Sequence, residues 1–90
     1  MLELHVIFHG RVQRVGFRAN VIQHAGELGV SGSVRNRSDG CVEMIAQGSK
    51  DQLDRLILAI EQDPGLARLD KIEKKTTDVK VPYTGFNIIS

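Results

Sequence analysis

The sequence holds a single cysteine, Cys41, no tryptophan, two prolines and an aromatic content of only 4%. One thiol cannot close an internal disulfide and leaves no multi-cysteine metal site. The histidines His5, His9 and His24 have no Cys or carboxylate spaced to complete a standard metal set, so neither a metal nor another cofactor is expected. Scarce aromatics remove the stacking platforms that a single-stranded RNA module needs. An excess of one charge is also missing: 12 Lys and Arg stand against 11 Asp and Glu, a formal net charge of +1. That balance argues against a nucleic-acid coat. No apolar run approaches the roughly 18 residues of a membrane span. The opening Met1-Leu2-Glu3 lacks the basic-then-apolar pattern of a signal peptide. The expectation is a cytoplasmic monomer with neither nucleic acid nor membrane as partner. A chain of 90 residues has room for one small domain, residues 1–90, and none for a dinucleotide-binding fold with its own substrate domain.

What is present has clear periodicity. Leu2, Leu4, Val6 and Phe8 alternate with Glu3, His5 and Ile7, which predicts a strand over Leu2 to Phe8. After a loop from Gly10 to Gly16 the period changes. Phe17, Val21, Ala25 and Leu28 share one helical face, and Gly29 stands where a left-handed C-cap would end the helix. Val30 to Arg37 and Cys41 to Gln47 read as two strands around an Asp39-Gly40 turn. Gly32, inside the first of them, weakens the strand unless something approaches the backbone closely. Ser49 and Gln52 have capping-box spacing, and Leu53, Leu56, Ile57 and Ile60 form the stripe of a second helix that Pro64-Gly65 ends. Leu66, Leu69 and Ile72 do not keep period two, which predicts a strand with a bulge, and Phe86 and Ile88 predict a short terminal strand. The order strand–helix–strand–strand–helix–strand predicts an α+β ferredoxin-like split βαβ sandwich: an antiparallel sheet, two helices on one face, and an extra C-terminal strand. Such a fold hosts many functions and identifies none.

The chemistry is concentrated in Gly10-Arg11-Val12-Gln13-Arg14-Val15-Gly16-Phe17-Arg18, which joins a strand directly to a helix. A turn of this kind can aim successive backbone N–H groups into one concavity, and the helix start adds its own unpaired donors. That suits a phosphate, with Arg18 closing the cradle by its planar fork. Spacing alone leaves a second reading open, in which the arginines are solvated charges around a tight turn. The spacings of a nucleotide P-loop and of a dinucleotide fingerprint are both absent. The second candidate is Asn36. Its side chain shares a face with Val34, toward the sheet interior, where a carboxamide is costly unless it is hydrogen-bonded. It either holds a water or bonds the adjacent turn.

These segments resemble the acylphosphatase family. Its first signature is matched by Gly10, Val12, Gln13, Val15, Phe17 and Arg18, its second by Gly32, Val34, Arg35, Asn36, Gly40, Val42 and Gly48. The helix exit Leu28-Gly29-Val30 and the Pro64 loop are similar too. The resemblance implies a hydrolase cleaving the carboxylic–phosphoric anhydride of small acyl phosphates, with phosphate or sulfate as an anion ligand and no cofactor. It implies a phosphate-binding loop over Gln13, Arg14, Val15, Gly16, Phe17 and Arg18, with Arg18 and Asn36 as the catalytic pair. Arg18 would bind phosphate and Asn36 would orient the attacking water. Arg14 stands where the family usually has Gly and Ser33 where it usually has an aromatic residue. An alternative is a non-catalytic anion-binding accessory domain. His5 is expected at the surface, His24 on the polar side of its helix, His9 beside the loop and shaping its electrostatics, and Cys41 as an exposed thiol. Lys71 to Lys75 are expected on a solvated edge strand.

Overall fold

The computed structural model describes all residues, Met1–Ser90. Alternation builds β1 (Leu2–Arg11), which carries Leu4, Val6 and Phe8 into the core. The change to helical period gives α1 (Phe17–Leu28), whose Phe17, Val21 and Ala25 are buried. β2 (Ser31–Asn36) and β3 (Val42–Gly48) form the hairpin around Asp39-Gly40, and α2 (Lys50–Gln62) buries Leu53, Leu56, Ile57 and Ile60. β4 (Arg68–Asp78) and β5 (Phe86–Ile88) complete a five-stranded sheet in the order β4-β1-β3-β2-β5. The apolar faces of both helices meet the inward residues of β1, β2 and β3 in one cluster. Phe8 and Phe17 meet edge to face, with ring centroids 5.0 Å apart. No helix is long and apolar enough to cross a membrane.

Local signals explain the joints. The Ser49 side chain accepts from the Gln52 N–H at 3.1 Å, and the Gln52 side chain accepts from the Ser49 N–H at 2.9 Å, completing the expected capping box. Gly29 adopts the left-handed C-cap conformation at φ 68°. A β-carbon on Gly32 would lie 1.9 Å from the Ile45 carbonyl oxygen, so only glycine lets β2 approach β3 there. The bulge in β4 is also present. His9 pairs with Lys71 but Gly10 pairs with Leu69, leaving Asp70 as the extra residue. That insertion turns both Leu69 and Ile72 toward the core despite their irregular spacing, while Leu66 stays 84% exposed.

Strands β1 to β4 make the expected antiparallel sheet, and the extra strand β5 runs parallel to β2. The chain leaves β4 at one edge, crosses past the start of β1 and pairs at the other edge, where its direction matches that of β2. Two expectations about side chains need correction. Cys41 is buried rather than exposed, because its side chain turns onto the open sheet face and contacts His9, with Sγ 3.2 Å from Nδ1. Burial and the neighbouring Asp39 carboxylate push its thiol pKa up. His24 is largely covered instead of lying on a solvated helix face, since its Nε2 bonds the Asp63 carbonyl at 2.9 Å and anchors α1 to the end of α2. Lys71 to Lys75 do lie on an exposed edge strand.

Candidate active site

β1 and β2 run toward the same end of the sheet. Phe8, Val42 and Asn36 stand in register across β1, β3 and β2. The loop after β1 and the last residue of β2 are therefore delivered to one end, where α1 begins. The loop is anchored from beneath, with Val12 and Phe17 buried and Val15 packed against the core. Those side chains face inward, so at Val15 and Phe17 only the backbone N–H groups are left for an anion.

The two helix starts differ. α2 has Ser49, its capping box and Asp51 in the first turn. α1 is preceded by Gly16 in the left-handed conformation at φ 76°, with no side-chain cap and no acidic residue in its first turn. The positive end of α1 thus lacks any side-chain acceptor, and a phosphate there would satisfy both its N–H groups and its dipole. Arg18, one residue into α1, takes part in none of the molecule's ion pairs. The same holds for Arg11 and Arg14, whereas Arg35 pairs with Glu43 and Arg37 with Asp39. Asp39 also accepts from the Cys41 N–H at 3.1 Å, and this bond together with Arg37 holds its carboxyl below the ordinary range. Half-buried Arg18 is thus a cation without a protein partner.

At the end of β2 the Asn36 Oδ1 is buried and has no hydrogen-bond partner. It does not bond the adjacent turn, which is closed by Arg37, Asp39, Gly40 and Cys41. An unpaired buried carbonyl costs about 1–3 kcal/mol, which a bound water or substrate group would offset.

Gln13 behaves differently from the other loop residues. Its Nε2 donates to the carbonyl oxygens of Arg37 at 2.8 Å and Cys41 at 2.9 Å, so its side chain ties the loop to the hairpin. No local pattern in the sequence marks that tie. Arg14 has φ 63°, a left-handed conformation normally left to glycine. Ser33 is buried in mid-strand between Ile45 and Asn87, so its departure from the family pattern bears on packing within the sheet. One surface concavity, about 630 Å³, lies against the start of the loop and the hairpin turn, where His9, Gly10, Arg11, Asp39, Gly40 and Cys41 line it. Another, about 550 Å³, runs between α2 and the β1–β4 edge, and neither includes Arg18 or Asn36.

Residues 4–88 match the sequence model of the acylphosphatase family. The chain belongs to the acylphosphatase family. An acylphosphatase of Picrophilus torridus is 44% identical over 82 residues, which span 91% of this chain and 95% of that one. The crystal structure of an acylphosphatase from Bacillus subtilis superposes with a TM-score of 0.95 at 31% identity, covering all of both chains. The crystal structure of T. kodakarensis HypF also contains the fold: TM-score 0.88 at 32% identity, covering 99% of this chain but 12% of that one. The general activity is accordingly that of an acylphosphatase, a hydrolase of acyl phosphates. The ferredoxin-like arrangement expected from the element order is the family's arrangement as well.

Proposed function

We propose that residues 1–90 act as one catalytic domain, a cytoplasmic monomer, in which Arg18 and the loop amides from Gln13 to Arg18 bind the phosphoryl group and Asn36 orients the attacking water. The observation that carries this reading is the buried, unpartnered Oδ1 of Asn36, delivered to the same end of the sheet as the unpaired Arg18. Water accepted by Oδ1 attacks phosphorus in line with the bond to the carboxylate oxygen. The P–O(acyl) bond breaks, the carboxylate leaves with the electron pair, and a phosphoryl oxygen takes the water's proton. A carboxylate is already a good leaving group, so no side-chain acid–base pair is needed. Catalysis rests on positioning and charge stabilisation. The scheme uses no metal or cofactor, and an acyl group need make few contacts beyond the phosphate.

Hydrolysis of benzoyl phosphate, with chelator present, tests these assignments on folded wild type, Arg18→Ala and Asn36→Ala. Arg18→Ala is expected to lose both phosphate affinity and turnover. Asn36→Ala should keep phosphate affinity and lose ~10²-fold or more in kcat, the scale of one positioned group. Wild-type turnover in Asn36→Ala would overturn its role. Folded wild type that binds phosphate without turnover would favour the anion-binding accessory reading.

A further inference from the structure

Gln13 lies in the loop between β1 and α1, and both acceptors of its Nε2 belong to the mouth of the β2–β3 hairpin. The Arg37 N–H donates to the Cys41 carbonyl at 2.8 Å and the Gly40 N–H to the Arg37 carbonyl at 3.3 Å, so the two carbonyls that Gln13 grips are those that close the turn. The residue preceding Arg37 is Asn36, the last of β2. A planar carboxamide with both N–H groups engaged is held in orientation as well as in distance.

The loop keeps its shape by other means. Val12 and Phe17 are buried beneath it, and the Phe8–Phe17 contact joins its two flanks. What the Gln13 side chain adds is a rigid connection from the anion cradle to the strand end that carries Asn36. The Asn36 Oδ1 has no protein partner to locate it, so its place depends on where the hairpin mouth is held.

We propose that Gln13 is a positioning residue: its side chain sets the separation between the phosphate cradle and the Asn36 carboxamide, and with it the approach of water to phosphorus. This rests on the roles given to Arg18 and Asn36 above. A displacement of ~1 Å at a reacting group is enough to cost ~10²-fold in rate. The Gln13 bonds therefore act on turnover, while the amides and Arg18 continue to bind the anion.

The test is a double-mutant cycle between Gln13→Met and Asn36→Ala, with kcat for benzoyl phosphate and the inhibition constant of inorganic phosphate measured for every variant. Methionine keeps the length and removes both donors; Gln13→Ala runs alongside, and thermal unfolding checks that each protein is folded. Gln13→Met is expected to lower kcat ~10-fold or more with the phosphate constant changed less than ~2-fold, and to cost less than ~2-fold further in the Asn36→Ala background. Equal losses of kcat in both backgrounds would overturn the proposal, because Gln13 would then act independently of Asn36. Weakened phosphate binding at unchanged kcat would overturn it too and place the Gln13 side chain in the service of the cradle. Undiminished turnover in Asn36→Ala alone would instead bring down the assignment on which the proposal stands, an outcome visible without any Gln13 variant.

Discussion

Arg14 is the only non-glycine residue in the chain with positive φ, and it occupies the tip of the loop that delivers Arg18. A left-handed conformation costs an L-residue with a β-carbon roughly 1–2 kcal/mol. The molecule therefore carries a charge at the rim of the proposed anion site at the expense of backbone strain. Two substitutions separate the effects. Arg14→Ala removes the charge and keeps the β-carbon; Arg14→Gly removes both. The glycine variant should be more stable than the alanine variant by about 1 kcal/mol in urea unfolding, despite glycine's greater freedom in the unfolded chain. Both should weaken phosphate binding by the same small factor, about 2-fold, because the loss of charge is common to them. Equal stability of the two variants would show that the loop relaxes around Arg14 and stores no strain there.

Among the strands, the open sheet face is held together by a polar ladder. Glu43 on β3 accepts from His5 on β1 and from Arg35 on β2, linking three neighbouring strands. Burial alone would push the Glu43 carboxyl up, but the bonds from His5 and Arg35 outweigh it and leave its pKa below the ordinary 4.5. A carboxyl with a depressed folded pKa binds protons more weakly in the native state than in the unfolded one. Its contribution is thus fully present above pH 4.5 and is lost as pH falls through the lower folded value. Glu43→Gln should flatten this acid limb of the unfolding free energy, measured by denaturant titration across acidic pH. An unchanged acid limb would mean that other carboxylates govern it. Strands can also hide their logic. Leu66, Leu69 and Ile72 look irregular as a strand pattern until the bulge at Asp70 restores the inward face to Leu69 and Ile72.

Across the whole molecule, chemistry and closure occupy opposite ends of the sheet. The proposed site lies where Phe8, Val42 and Asn36 stand in register, whereas Gln47 stands between Glu3 and Ser31 at the other end. Gln47 is only 1% exposed. Its Nε2 donates to Glu3 Oε1 at 2.9 Å and to the Val81 carbonyl at 2.8 Å, while its Oε1 accepts from the Tyr83 N–H at 2.8 Å. These bonds hold the crossing segment that carries the chain from β4 to β5. Gln47→Leu would leave the partners of the lost amide unpaired and should cost about 1–3 kcal/mol of stability. Benzoyl phosphate turnover by the folded variant should stay within ~2-fold of wild type, because the Arg18 and Asn36 end is untouched. A large loss of turnover in folded protein would show that the crossing segment is coupled to the site.

The sequence by itself determined the order of elements, both helical core stripes, the Ser49–Gln52 box, the Gly29 cap, the β4 bulge and the loop that holds Arg18. Each depends on periodicity or on contacts a few residues apart, which backbone geometry dictates wherever the segment comes to rest. Asn36 was readable for a related reason: strand alternation puts it on the face of Val34, and a carboxamide there requires a partner. Only the tertiary structure decided that this partner is missing from the protein itself, that Cys41 is buried against His9, and that β5 pairs parallel with β2. The left-handed turn at Arg14 and the grip of Gln13 on Arg37 and Cys41, 24 and 28 residues away, belong to the same class. Such features depend on which strands become neighbours and in what register. A side chain's local pattern carries no record of a partner that packing brings to it from across the fold.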